Sequence, residues 1–305
     1  MANTLTRREL LGGAAAAWAL APGRPLVDTH IHLFAADRQR FPVHPNAPYK
    51  PAPAPLEAYA AFAASKFDHV VIVHPEPYQD DHGYLEYCFA HEPRAGFFKG
   101  TCLFDPIAPD TPARMEALVK KHPKRIVALR IHEMGKPGEP PTHDGAIAGR
   151  DMRHPAMQTT WRKVQALGLA IQMHFLPCHA PQIGELAAQF PKVNVILDHL
   201  ARAGQGTPAE FEGVLKLARL PNVYMKYSGV NYSSKQAYPF KDAAPIVRKA
   251  FDAFGPGRMI WGGLGQNEAD FARQSRLLEM MFDFASEADR DKIRGLNAMK
   301  LYGWT

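Results

Sequence analysis

Eight short, apolar, β-rich runs recur along the chain, each followed by a stretch of helical spacing, and no other feature narrows the possible folds so far. The runs are Leu26 to His32, His69 to Pro75, Gly96 to Phe104, Ile126 to His132, Leu169 to Phe175, Val193 to His199, Val223 to Gly229 and Arg258 to Gly263. Helices are predicted between them at Leu56 to Ser65, Tyr84 to His91, Pro112 to Lys121, Thr159 to Leu167, Ala180 to Phe190, Pro208 to Leu220 and Asp242 to Phe254. Two more, Phe271 to Ala285 and Glu287 to Leu301, follow the last run. Strands that alternate with helices pair in parallel, because a parallel pair needs a crossover that a helix supplies. Eight such units predict an α/β fold, the closed (β/α)8 TIM barrel. The rival, an open doubly wound sheet, wants a glycine-rich turn after its first strand. The residues there are Asp28-Thr29-His30-Ile31-His32-Leu33, so that fingerprint is missing.

The barrel is expected as a single domain over residues 25–305. Residues 1–24 read as an address label: Thr6-Arg7-Arg8-Glu9-Leu10-Leu11 followed by small apolar residues resembles a twin-arginine export signal, which predicts a periplasmic protein. The apolar run is too short for a stable membrane span, so no stable membrane insertion is expected. Of the formal +6 charge, Arg7, Arg8 and Arg24 against Glu9 supply +2, and the remaining +4 is mild. Its scattered cations give no support to nucleic-acid binding. Three cysteines, Cys88, Cys102 and Cys178, form no CxxC pair and no disulfide framework.

In a barrel, chemistry sits on the loops that leave the carboxyl ends of the strands. The first of these loops is a stiff, Pro-rich path carrying Tyr49. The loop after the fourth strand, Glu133 to Pro155, holds Gly135, Gly138, Gly145 and Gly149 and suits either a lid or an ordinary surface excursion. His30 and His32 are two apart on a strand, so their imidazoles share a face. Such a pair at a strand end can clamp a metal or polarise a carbonyl, or can be two hydrogen-bonded core histidines. Other strands also end in polar groups: Arg130 and His132, then Gln172 and His174, then Asp198 and His199, then Lys226, Tyr227 and Ser228. Such groups are expensive inside a barrel unless paired or working. Arg130 and Arg202 suit a small-molecule carboxylated substrate, since a guanidinium fork matches a carboxylate. Tyr49 is placed to close over that substrate, and Tyr227 to line its site. Gly262, Gly263 and Gly265 suit an anion cradle or a tight turn.

Val27-Asp28-Thr29-His30-Ile31-His32, Leu197-Asp198-His199, Val223-Tyr224-Met225-Lys226-Tyr227-Ser228-Gly229, Trp261-Gly262 and the closing Asn297-Ala298-Met299-Lys300-Leu301-Tyr302-Gly303-Trp304 together resemble the amidohydrolase-related family. Within the amidohydrolase superfamily, the similar branch is that of lactonases opening 2-pyrone-4,6-dicarboxylate and related rings. The resemblance implies a hydrolase of a lactone or similar ester, with a site built on His30, His32 and His174, which would either hold a divalent metal such as zinc or polarise the carbonyl directly. No organic cofactor is expected. Members typically follow the strand-eight Trp-Gly with a small residue and an aspartate that serves as metal ligand and general base. Here the segment reads Trp261-Gly262-Gly263-Leu264-Gly265, and leucine does neither. Asp198, Glu133 and Glu268 are the available replacement bases, and Asp198 with His199 is expected to manage the proton. The alternatives are a decarboxylase-type lyase on the same fold and a catalytically impaired periplasmic binding protein.

Overall fold

The computed structural model describes residues 24–139 and 151–304. The expected address label, apart from Arg24, and the part of the fourth loop that carries Gly145 and Gly149 lie outside those residues. All eight predicted strands are present, as β1 (Val27–Ile31), β2 (His69–Ile72), β3 (Phe98–Leu103), β4 (Ile126–Glu133), β5 (Ala170–Phe175), β6 (Val195–Leu197), β7 (Val223–Tyr227) and β8 (Met259–Trp261). They pair in parallel in the order of the sequence, the arrangement of a (β/α)8 TIM barrel. The seam between β8 and β1 is closed by Thr29 Oγ1 donating to the Trp261 carbonyl at 2.6 Å and by the Leu264 amide donating to the His30 carbonyl at 3.1 Å.

The outer layer begins with α1 (Leu56–Lys66), α2 (Gly83–Ala90), α3 (Thr111–Lys121), α4 (Pro155–Ala166) and α5 (Ala180–Gln189). It continues with α6 (Pro208–Lys216), α7 (Ala244–Phe254), α8 (Glu268–Met281), α9 (Glu287–Asp291) and α10 (Asn297–Tyr302). Helix α8 starts earlier than its apolar pattern predicts because the Asn267 side chain caps it, accepting from the Ala269 and Asp270 amides. The single helix expected over Glu287 to Leu301 is broken by a π turn at Lys292–Leu296. Gly295 in that turn presses on the chain at Pro25, where an added Cβ would lie 1.8 Å from the carbonyl oxygen. The backbone therefore bulges to fit the approach. Among the described residues no helix is long and apolar enough to cross a membrane.

The barrel interior is layered. Val27, Val71, Ala128, Ala170, Ile196 and Ile260 fill its amino end, and Ala298, Tyr302 and Trp304 from the C-terminal segment seal them from below. Alternation along β4 to β7 then sends the next inward positions, Arg130, Gln172, Asp198 and Lys226, into a polar layer above. Residues of opposite parity, such as Leu129, Ile171, Leu197 and Met225, pack outward against the helices. The apolar floor holds the barrel together, and its polar upper storey is where chemistry is affordable.

Candidate active site

Strict alternation fails in β1, and the failure creates the site. Val27 belongs to the interior floor while Ile31, of the same parity, belongs to the outer core. The pairing of β1 with β2 slips between Asp28 and Ile31, and this irregularity turns the following residues over. His30 and His32 consequently face inward, with Nε2 atoms 3.3 Å apart. Gly262 makes room for them, since a Cβ there would meet the His30 Cβ at 2.7 Å. Asp28 anchors the turn, accepting from the amides of His30 at 2.9 Å and Gly263 at 2.8 Å. Burial pushes its carboxyl up to about 7 despite those donors. The Gly262 amide is likewise spent on the Tyr227 carbonyl. These glycines serve close packing and turn geometry, and the amides of Gly262 and Gly263 are not available to cradle an anion.

Behind His30 lies a buried ionic centre. Asp198 receives Lys226 Nζ at 3.2 Å on one oxygen and, on the other, Arg130 Nε at 3.2 Å and Gln172 Nε2 at 3.0 Å. His30 Nδ1 lies 3.7 Å from the first oxygen. The register of β4 on β5 sets Arg130 beside Gln172, which is why both reach one carboxylate. Burial alone would raise the Asp198 pKa, but Lys226, His30 and Arg130 hold it well below the usual carboxylate range. Burial pushes His30 well below an ordinary imidazole, against the pull of Asp198, and pushes His32 down to about 4. Both rings are neutral at pH 7.

A second cluster forms the rim. The same register pairs His132 with His174, and Glu76, from the turn after β2, stands between them. Its Oε1 is 2.8 Å from His132 Nε2, 3.4 Å from His174 Nδ1 and 3.9 Å from Arg130 Nη1. The Tyr49 phenol stands beside Glu76, and burial together with that carboxylate pushes its pKa up. Burial of Glu76 opposes its charge, yet the two imidazoles and Arg130 hold it far below the usual range. Arg202 donates to His174 Nε2 at 2.8 Å and lies over the Tyr232 ring.

His199, Leu200, Ala201 and Arg202 all have left-handed backbone, with φ of 56, 52, 53 and 51°. A left-handed turn costs L-residues roughly 1–2 kcal/mol apiece, offset here by complete burial of Leu200 and Ala201. Residues three apart on such a turn share a side, so His199 and Arg202 both reach the site. The His199 ring is 4.6 Å from that of His30 and 5.4 Å from that of His174. Strain of this kind concentrates where geometry is functional.

Of the residues expected from sequence, His30, His32, Tyr49, Arg130, His174, Asp198, His199 and Arg202 gather at the barrel mouth, while Tyr227 does not. It shares the outward parity of Met225 and packs edge-on against Phe282 at 4.9 Å. Asp198 is not partnered by His199, whose Nδ1 meets Ser228 Oγ at 2.9 Å; its imidazole partner is His30. Arg130 is committed to Asp198 through Nε, while its Nη1 faces Glu76 at 3.9 Å. Glu268 pairs with Lys66 on the surface, and Glu133, of outward parity, lies 3.6 Å from His179, so neither replaces the missing aspartate. Glu76 was not among the sequence candidates, although its position just past a strand end is the same signal that exposed the others. The trio His30, His32 and His174 is not assembled as a ligand set. Among the described residues the converging donor sets are His30 with Asp198 and His199, and Glu76 with His132 and His174.

A family model described as amidohydrolase matches residues 27–304. The 4-sulfomuconolactone hydrolase of Hydrogenophaga intermedia is 25% identical over 287 residues, covering 90% of this chain and 88% of that protein. A probable 2-pyrone-4,6-dicarboxylic acid hydrolase from Acinetobacter baumannii, solved with citric acid bound, superposes with a TM-score of 0.72 at 19% identity. That match covers 92% of this chain and all of the other. A zinc-bound amidohydrolase from Burkholderia multivorans superposes at 0.67 with 18% identity, covering 92% and 99%. With its barrel, its paired first-strand histidines and a match that spans nearly its whole length, the chain belongs to the amidohydrolase family, as one of its hydrolytic enzymes.

Proposed function

We propose that this amidohydrolase opens a small, carboxylate-bearing lactone or similar ester by acid–base chemistry of its own side chains. The observation that carries this reading is the His30–His32 pair, two neutral imidazoles facing through Nε2 at 3.3 Å with Asp198 behind one of them. His32 Nδ1 donates to the Val73 carbonyl at 2.8 Å, which leaves its Nε2 as an acceptor. The pair can therefore take one proton from a water molecule. Water attacks the lactone carbonyl as its proton passes to the pair, and the imidazolium so formed faces the Asp198 carboxylate. Collapse of the tetrahedral intermediate breaks the ring C–O bond, and the same proton passes to the departing alkoxide to give a hydroxy acid. Charge balance supports this. Arg130, Arg202 and Lys226 against Asp198 and Glu76 leave a net of +1 when the histidines are neutral and Asp28, which burial raises to about 7, is protonated. One substrate carboxylate, met by Arg202, cancels it, and the oxyanion and imidazolium then form together.

Divalent metals are common in this family, but the donors present do not fit one. His30 and His32 supply two ligands where a catalytic zinc takes three from the protein, and the converging set of His30, Asp198 and His199 depends on Asp198 for one of its three. His174 Nε2 is engaged by Arg202, Leu264 offers no ligand atom, and Asp198 already carries Lys226 and Arg130 at 3.2 Å each. A fixed ammonium and guanidinium would repel the ion. The second set, around Glu76, is flanked by Arg130 and Arg202 in the same way.

Proton release from a panel of lactones tests the proposal. Ring opening above the buffer rate by the parent, lost in His30→Ala, supports it. Carbon dioxide release from aromatic acids with no lactone turnover would favour the lyase instead. We also propose export to the periplasm from the address read at Thr6 to Leu11, tested by whether Arg7→Lys with Arg8→Lys retains the protein in the cytoplasm.

A further inference from the structure

Glu76 is not on a barrel strand, and it occupies a place that the surrounding residues shape for an acid. Its carboxylate is approached by the Tyr49 hydroxyl, His132 Nε2, His174 Nδ1 and Arg130 Nη1. Two of those four, Tyr49 and Arg130, are residues whose chemistry suits a substrate acid. Donors of this kind, converging on one point, form a carboxylate subsite. We propose that Glu76 is a built-in carboxylate that fills one of two anion subsites in the cavity and so restricts the enzyme to substrates bearing a single acidic group. The proposal rests on the lactone reading and names the charge class of its substrate.

Three observations favour this over a purely structural carboxylate. The first is the tether. Glu76 reaches in from the turn between β2 and α2 and satisfies only part of what surrounds it. His132 is met at 2.8 Å, but His174 Nδ1 is 3.4 Å away and Arg130 Nη1 3.9 Å, and both of those nitrogens are buried without a hydrogen-bond partner. An untethered carboxylate could settle closer to both. The second is charge. With Asp28 protonated, the cavity's ionic groups sum to +1 with Glu76 charged and to +2 with it neutral, the complement of a diacid. The third is the contrast between the guanidiniums. Arg130 is held by Asp198 and faces Glu76, whereas the Nη1 of Arg202 is spent only on a neutral imidazole. Arg202 is left to recognise one acid group, and a second would meet Glu76 and be repelled.

The test uses the full-length protein and formate as the probe of a vacated carboxylate site. Glu76→Ala removes the tethered acid and leaves space; Glu76→Gln keeps the volume and removes the charge. Calorimetric titration is expected to give saturable formate binding to Glu76→Ala about tenfold or more tighter than to the parent or to Glu76→Gln. The ratio of kcat/KM for a dicarboxylated over a monocarboxylated lactone is expected to rise by about tenfold or more in Glu76→Ala. If Glu76→Ala does not fold, Glu76→Ser, which removes the acid and keeps a small polar side chain, is expected to move the same ratio in the same direction. Formate binding equal in parent and Glu76→Ala, or an unchanged lactone ratio, overturns the proposal. Because formate binding needs no turnover, a parent that opens no lactone would remove the proposed reaction while the titration still judges the subsite.

Discussion

Replacing Asp198 with asparagine removes one negative charge from the centre of the barrel and keeps its shape. Asp198 and Lys226 are fully buried and Arg130 is 1% exposed. After the substitution an ammonium and a guanidinium, each formerly 3.2 Å from a carboxylate oxygen, remain buried with no counter-charge between them. Breaking a buried pair by removing one partner costs about 3–5 kcal/mol, which in a domain of this size lowers Tm by roughly 10 °C. Activity should fall by about two or more powers of ten, because the imidazolium formed at His30 loses the charge it faces. Adding Lys226→Met to Asp198→Asn removes one stranded cation, so the double variant should recover part of the Tm and none of the rate. Circular-dichroism melts and lactone proton release measure the two separately. A single variant with unchanged Tm would refute the ionic-centre argument. A double variant that regained activity along with stability would refute the role given to Asp198 in the reaction.

Gly262→Ala places a methyl against the His30 Cβ, which now stands 2.7 Å from that position. It is expected to cost about 1–3 kcal/mol and to lower kcat far more than it raises KM; a fully active variant would contradict the close-packing account. The pH profile follows from the buried histidines. The base form is needed, so the rate falls as pH drops through the folded pKa values, and burial has moved these below 6.5, to about 4 for His32. The kcat/KM profile should therefore hold steady from neutrality to well below pH 6.5, and an acidic limb at or above 6.5 would count against neutral buried imidazoles.

The barrel was legible because periodicity survives in each segment separately: every apolar run between Leu26 and Gly263 contains a strand. Strand ends were less legible. Expected ends at His199, Gly229 and Gly263 fall at Leu197, Tyr227 and Trp261, because the polar residues that follow leave the sheet to build the site. Tyr227 lies between Lys226 and Ser228, and alternation sends it to the face opposite theirs. Spacing gives His30 and His32 a shared face but not which one. Parity counted from Val27 would have turned them outward, and only the register slip in β1, which depends on the partner strand, turns them in. The role of Glu76, a polar residue just past a strand end, and the left-handed run from His199 to Arg202 could not be read from local pattern alone. The first is defined by partners on other strands, and the second holds non-glycine residues in a conformation that only tertiary burial sustains.

In the proposed reaction these side chains activate the attacking water without a resident metal ion. The direct measurement is lactone turnover by protein dialysed against a strong chelator, with metal content verified by elemental analysis, before and after zinc or manganese is restored. The same kcat/KM is expected in all three states. Activity that disappears with the metal and returns with zinc would contradict it.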